Sequence, residues 1–112
     1  MDKFAILSSG SSGNCLFIEY KGSKILVDAG FSARRIENLL KEVGKDANEL
    51  DAIFLTHEHA DHTKGAGTLS RRYNIPIFAN GGTWKGIEKS VGKLKDENIK
   101  VFDSSKFLSF GS

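Results

Sequence analysis

The sequence has little with which to form covalent cross-links or to cross a membrane. Its only cysteine is Cys15, so no internal disulfide can form. No apolar run approaches the roughly 20 residues that a membrane-spanning helix needs. The N-terminus also lacks the basic region, apolar run and small-residue cleavage site of a signal peptide. We therefore expect a soluble, cytoplasmic protein with no membrane partner.

An excess of charge of one sign is also missing. Sixteen lysines and arginines stand against 14 aspartates and glutamates, and the net charge of +2 neither supports nor excludes a polyanionic substrate. Hydrophobic residues make up 39% of the 112 residues and there is one proline, so an ordered core is expected. Residues 1–112 are predicted to form a single domain.

Histidine is scarce, but all three histidines lie within six positions. They are His57, His59 and His62, with Asp61 beside the last. Three imidazoles and a carboxylate suit zinc and similar divalent ions. Residues 50–55 (LDAIFL) read as a buried strand that ends just before them, and open α/β sheets bind ligands at that edge. We interpret the cluster as a metal site; chance clustering or helix capping is the alternative.

Apolar runs separated by turn residues predict the remaining elements. Residues 3–7, 15–20 and 24–28 are expected to be strands, the latter two a hairpin. Ser32 should cap a helix over residues 33–43 that Gly44 ends. Beyond the histidines we predict a helix in residues 64–73, a strand at 75–79 that Pro76 places at a sheet edge or strand start, a helix capped by Thr83, and strands at 99–102 and 106–110. This order favours an α/β sandwich of sheet and covering helices.

The loop between the first two strands consists of small residues, SSGSSGN over positions 8–14. Such a loop can let a substrate backbone approach closely or receive an anion. A flexible hairpin connection is an equally good interpretation. Cys15, which follows the loop, is expected to be a small buried strand residue.

The spacing His57-x-His59-x-Asp61-His62 after a buried strand resembles the signature of the metallo-β-lactamase fold superfamily. The match extends upstream, because residues 25–30 (ILVDAG) are similar to the earlier strand of that superfamily, which ends in an aspartate, here Asp28. The small-residue loop and the segments FSARRIENLL and FLTHEHADHTKG are most similar to the YycJ/WalJ-like exonuclease branch.

The resemblance implies two divalent ions, Zn²⁺ first and Mn²⁺ as the alternative, which together activate a water for attack on phosphorus. His57 and His59 would bind one ion, and Asp61 and His62 the other. Asp61 would also orient the nucleophile as a catalytic residue. Asp28 would hydrogen-bond a ligand or a loop group behind the metals.

The same resemblance suggests contacts outside the ligands. Ser11, Ser12 and Asn14 are our candidates for binding the substrate backbone, and Glu58 is expected to be structural. The substrate would be DNA or another phosphodiester. A thioester, lactam or tRNA-processing hydrolase is the alternative within the enzymes.

The sequence departs from the superfamily pattern in its second half. The superfamily completes its site with a later histidine, a bridging aspartate and another histidine, whereas this chain has no histidine after His62. Neither Asp96 nor Asp103 lies in a bridging pattern. We therefore expect the N-terminal half of an αββα sandwich. By itself such a fragment would be inert or would bind metal weakly, and an exposed strand edge would allow self-association.

Overall fold

The computed structural model describes residues 3–8 and 13–102. Six strands form one mixed sheet in chain order: β1 (Lys3–Ser8), β2 (Cys15–Tyr20), β3 (Ser23–Val27), β4 (Ala52–Phe54), β5 (Ile77–Ala79) and β6 (Ile99–Val101). The first three strands pair antiparallel and the last four pair parallel. The predicted hairpin and α/β class are confirmed. The strand predicted over residues 106–110 lies outside the described residues.

Four α-helices connect the strands: α1 (Ala33–Glu42), α2 (Ala60–Thr63), α3 (Ala66–Tyr73) and α4 (Gly81–Ile87). Short 3₁₀ helices cover Ala47–Glu49 and Asp96–Asn98. The prediction for α1 is confirmed: the Ser32 hydroxyl accepts a hydrogen bond from the Arg35 amide at 3.3 Å, and Gly44 follows with a φ of 77°. None of the helices in these residue ranges is both long and apolar enough to cross a bilayer.

The predicted cap of α4 was wrong, and of the two positions predicted for Pro76 the structure supports the strand start and not the sheet edge. Asn80, not Thr83, caps α4, since the Asn80 side chain accepts the Thr83 amide at 2.8 Å and Asn is at least as good a cap as Thr. Strand β5 lies inside the sheet between β4 and β6. Pro76 directly precedes β5, where its carbonyl still accepts the Ile53 amide at 3.0 Å.

The core lies between one face of the sheet and the helices. Alternate strand residues point to that face, as the period of two in a strand requires, and are essentially inaccessible: Phe17, Leu26, Ile53 and Ile77. The helices contribute Ile36, Leu40, Leu69 and Ile87 to the same cluster. The helices therefore cover one face of the sheet and bury the side chains on it.

Parallel pairing of β3 with β4 determines where the candidate site lies. The register pairs Ile25 with Ala52 and Val27 with Phe54, so the two strands end side by side. Asp28 follows β3, and the histidine segment follows β4 after Leu55 and Thr56. Side chains 30 positions apart are thus brought to one edge of the sheet.

Candidate metal centre

Asp28 lies at the centre of the site. Its amide donates to the Phe54 carbonyl at 2.7 Å, which continues the ladder by one residue, and its φ of 67° then turns the chain out of the strand. This left-handed conformation is uncommon outside glycine, although aspartate tolerates it better than most residues. The Asp28 side chain is buried beneath the histidine loop.

A hydrogen-bond network joins Asp28 to two of the histidines. The Asp28 carboxylate accepts the Thr56 amide at 2.8 Å and the Thr56 hydroxyl at 2.8 and 3.0 Å. Its Oδ2 lies 2.8 Å from Nδ1 of His62. The Thr56 hydroxyl lies 2.9 Å from Nδ1 of His57. The rings of His57 and His62 are therefore held through Nδ1, with their centroids 4.7 Å apart.

His59 is positioned by its backbone and not by its ring. It is the N-cap residue of α2, and its carbonyl accepts the His62 amide at 2.9 Å and the Thr63 hydroxyl at 3.2 Å. The exposed ring makes no hydrogen bond to the described part of the chain. Its centroid is 6.5 Å from that of His57. Local folding thus brings the ring near the site and leaves its orientation free.

Asp61 lies beside His62, with its Oδ2 3.6 Å from His62 Nε2. Its carbonyl accepts the Asn14 amide at 2.8 Å, and the Asn14 side chain approaches the Asp61 carboxylate at 3.5 Å. Gly30 makes this packing possible, because a Cβ there would lie 1.8 Å from the Asp61 carbonyl oxygen. The loop after β3, the start of β2 and α2 therefore meet with no room for another side chain.

The donor chemistry of these residues fits a divalent ion, although the side chains do not form a closed cage. Within residues 3–8 and 13–102, no three His, Cys, Asp or Glu side chains converge closely enough to be recognised as a metal-holding group. The 3.6 Å between Asp61 Oδ2 and His62 Nε2 is close to the separation of about 3.3 Å between two ligands of a tetrahedral zinc ion. The structure thus pairs Asp61 with His62 and brings His57 alongside, whereas His59 lies further away.

The remaining predicted residues fall into three groups. Ser11 and Ser12 lie outside the described residues, whereas Asn14 lies against Asp61. Glu58 packs its side-chain stem against α4, since a Cβ at Gly86 would lie 2.7 Å from the Glu58 Cβ. Cys15 is buried, and burial together with the Asp28 charge raises the pKa of its thiol to about 12, which leaves it protonated and unreactive.

Two residues of the site, Thr56 and Gly30, were not predicted from the sequence. Thr56 belongs to the hydrogen-bond network, and Gly30 permits the close contact with Asp61. A signal for Thr56 was present, because a hydroxyl residue directly preceded the histidine motif at the end of a strand. Its role depends on the pairing of β3 with β4, which places it next to Asp28.

Comparisons with known proteins identify the family of this chain. A model of the metallo-β-lactamase superfamily matches residues 9–105. Exodeoxyribonuclease WalJ of Streptococcus pneumoniae is 43% identical over 97% of this chain, and exodeoxyribonuclease YycJ of Bacillus anthracis is 39% identical over 96%. The chain spans 41% of the length of each of these relatives.

A solved structure supports the same fold. The Rm3 metallo-β-lactamase superposes with a TM-score of 0.64 over 84% of this chain and 39% of its own, at 22% identity. Identity at that level carries information about the fold alone. The fold predicted from the histidine motif is therefore confirmed.

Proposed function

Because the chain belongs to the metallo-β-lactamase superfamily, we propose that it supplies part of the metal centre of a hydrolase that cleaves phosphodiester bonds, with DNA as the substrate. The relatives named as exodeoxyribonucleases support this substrate class. Residues 1–112 would form the N-terminal part of the catalytic domain, and the reaction would take place in the cytoplasm.

The observation that carries the proposal is the way two imidazoles are held. His57 and His62 are both bonded through Nδ1, so both leave Nε2 available, and His62 Nε2 faces the Asp61 carboxylate at 3.6 Å. Bonding one imidazole nitrogen so that the other is available is typical of metal-binding histidines. A structural histidine pair would not need an open nitrogen beside a carboxylate.

We assign the four ligands as the motif suggests: His57 and His59 to one ion, Asp61 and His62 to the other. Zinc is our first choice and manganese the alternative. Bound divalent ions at such a centre supply Lewis acidity and an activated water. The chain's own residues would orient that chemistry: Asp28 would fix His62 through Nδ1, and the partly exposed Asp61 carboxylate would orient the nucleophile.

Substrate contacts come from the loop before β2. The Asn14 side chain lies beside Asp61, so a phosphodiester at the metals would pass close to Asn14. We assign Ser11 and Ser12 to the same role because they precede Asn14 in the loop of small residues. Their hydroxyls and backbone amides would donate to phosphate oxygens.

Metal binding gives the first test. Zinc is titrated into the metal-free chain against a chelating dye, alongside His62→Ala, Asp61→Asn and a matched control, Glu58→Gln, in the same loop. We expect either ligand variant to bind zinc at least about tenfold to a hundredfold more weakly, since that is already the typical loss for a partner that only orients a ligand, and Glu58→Gln to match the wild type. Equal affinities in all four proteins would contradict the assignment.

Activity and metal content separate the proposal from the alternatives. We expect metal-dependent release of nucleotides from an end of linear DNA by the longer protein, abolished by His59→Ala. Activity toward thioesters and not DNA would favour the alternative hydrolase. Two ions retained by this chain after dialysis would indicate a complete site, whereas retention of one ion or none would favour an inert or weakly binding fragment.

A further inference from the structure

Thr56 connects the buried carboxylate to both ordered imidazoles. Its hydroxyl lies 2.8 Å from Asp28 Oδ2, 2.9 Å from His57 Nδ1 and 3.5 Å from His62 Nδ1. Its amide makes a separate bond to Asp28 at 2.8 Å. The hydroxyl could therefore be removed without removing the backbone link between the two strand ends.

Counting protons assigns a direction to each of these bonds. A hydroxyl has one proton to donate, and an ionised carboxylate has none. The Thr56 proton must therefore go to Asp28, because a carboxylate can only accept. Toward His57 the hydroxyl can then only accept, which requires a proton on His57 Nδ1. Asp28 requires the same of His62, whose Nδ1 lies 2.8 Å from Oδ2.

We propose that Thr56 is a positioning residue whose hydroxyl, oriented by Asp28, keeps the His57 proton on Nδ1 and leaves the His57 Nε2 lone pair free to bind a metal ion. Asp28 reaches His62 directly but reaches His57 only through this hydroxyl. One buried carboxylate thereby sets the tautomers of two imidazoles. The role of this arrangement in metal binding rests on the proposed function. The Nδ1-protonated form of His57 depends only on the hydrogen bonds and is expected in the metal-free chain as well.

The metal-free chain provides the direct test. Long-range ¹⁵N–¹H correlation spectra, recorded at alkaline pH so that the imidazoles are neutral, distinguish a proton on Nδ1 from one on Nε2. We expect His57 and His62 to be protonated on Nδ1 in the wild type. His59, whose ring makes no such bond to residues 3–8 and 13–102, serves as the internal reference and should show both tautomers. A wild-type His57 protonated on Nε2 would overturn the proposal.

Two substitutions isolate the hydroxyl. Thr56→Val keeps the size, the β-branch and the amide bond to Asp28, whereas Thr56→Ser keeps the hydroxyl and removes the methyl. We expect Val to release the His57 proton to a mixture of tautomers while His62 stays on Nδ1, and Ser to retain the wild-type spectrum. A Val variant with an unchanged His57 tautomer, or a folded Ser variant that behaves like Val, would contradict the inference.

Zinc affinity separates this inference from the proposed function. If both hold, Thr56→Val should need about tenfold to a hundredfold more zinc to perturb the His57 ring, and Thr56→Ser should match the wild type. Wild-type tautomers as expected, with no response to zinc, would support the role of Thr56 in the tautomer and contradict the metal centre. Tight zinc binding by a chain whose His57 is protonated on Nε2 before metal is added would support the metal centre and contradict the role of Thr56 in the tautomer.

Discussion

The carboxylates of Asp28 and Glu37 accept hydrogen bonds from similar sets of side chains, but the two clusters have different roles. Asp28 accepts a hydroxyl from Thr56 and an imidazole N–H from His62. Glu37 on α1 accepts the Tyr73 hydroxyl and, at 2.7 Å, the Arg72 guanidinium, both at the end of α3. Each carboxylate thus joins segments that lie about 30 positions apart in the sequence.

The difference lies in what the donors can do next. A guanidinium has no acceptor, so the Glu37 cluster ends at Arg72 and can only hold two helices together. An imidazole that donates through Nδ1 still has a lone pair on Nε2, so the Asp28 cluster ends in two potential ligands. The donor, and not the carboxylate, therefore decides whether such a cluster only joins two segments or also leaves a nitrogen available to bind a metal ion.

Replacing Asp28 should have the largest effect. Asp28→Ala leaves the Thr56 amide, the Thr56 hydroxyl and His62 Nδ1 without their acceptor at a buried position. We expect a loss of about 3 kcal/mol in the free energy of unfolding, measured by urea denaturation of the metal-free chain. Zinc affinity should fall with it by about tenfold to a hundredfold.

Asp51→Ala is the matched control for that loss. Its exposed carboxylate accepts a single amide, that of Lys24, at 2.8 Å at the start of β4. We expect it to cost about 1 kcal/mol or less and to leave zinc affinity unchanged. If the two substitutions lowered the free energy of unfolding equally, the Asp28 cluster would contribute no more to stability than the single hydrogen bond of Asp51.

The next largest difference should be between His62, in α2, and His59, the residue that caps α2. His62→Ala removes the Nδ1–H that Asp28 accepts, and we expect it to lower the free energy of unfolding of the metal-free chain by about 1.5 kcal/mol. His59→Ala removes an exposed ring that makes no hydrogen bond to the described residues and keeps the backbone carbonyl. Its cost should stay within about 0.5 kcal/mol. A larger cost for His59 than for His62 would show that the ring is more firmly held than its contacts indicate.

The metal-binding motif and most of the helices and strands could be predicted from the sequence. The predictions failed where the position of a residue or strand depends on pairing between distant segments. The histidine spacing, the helix α1 with its Ser32 cap and the Asp28 position were readable because each is a local pattern. The role of Thr56 was not, because it follows from the parallel register of Val27 with Phe54. The interior position of β5 was missed for the same reason, since Pro76 weakens a strand locally and its neighbours on either side come from distant segments.

The Glu37 cluster was also unreadable, because nothing local joins residue 37 to residues 72 and 73. The pKa of the Glu37 carboxyl is lowered, first by the hydrogen bond from Tyr73 and then by that from Arg72, and the pKa of the Tyr73 hydroxyl is raised by the same bond. A carboxyl whose pKa is lower in the folded state contributes stability above its unfolded pKa. That contribution is lost as the pH falls through the folded value.

Tyr73→Phe should therefore cost less than Asp28→Ala or His62→Ala, and its cost should depend on pH through Glu37. We expect it to cost about 1 kcal/mol near neutral pH, because one hydrogen bond to a half-buried carboxylate is lost. Below the ordinary glutamate pKa of 4.5 the cost should shrink, since protonation of Glu37 weakens the same bond in the wild type. Urea denaturation of both proteins at neutral pH and at about pH 3 measures how the cost of Tyr73→Phe changes with pH. In a Glu37→Gln background the cost of Tyr73→Phe should no longer depend on pH. The zinc affinity of the Glu37→Gln variant should equal that of the wild type, because the Glu37 cluster ends at Arg72 and contains no metal ligand. A Tyr73→Phe cost that stays constant through the acid range would show that the hydroxyl is held by packing and not by the charge on Glu37.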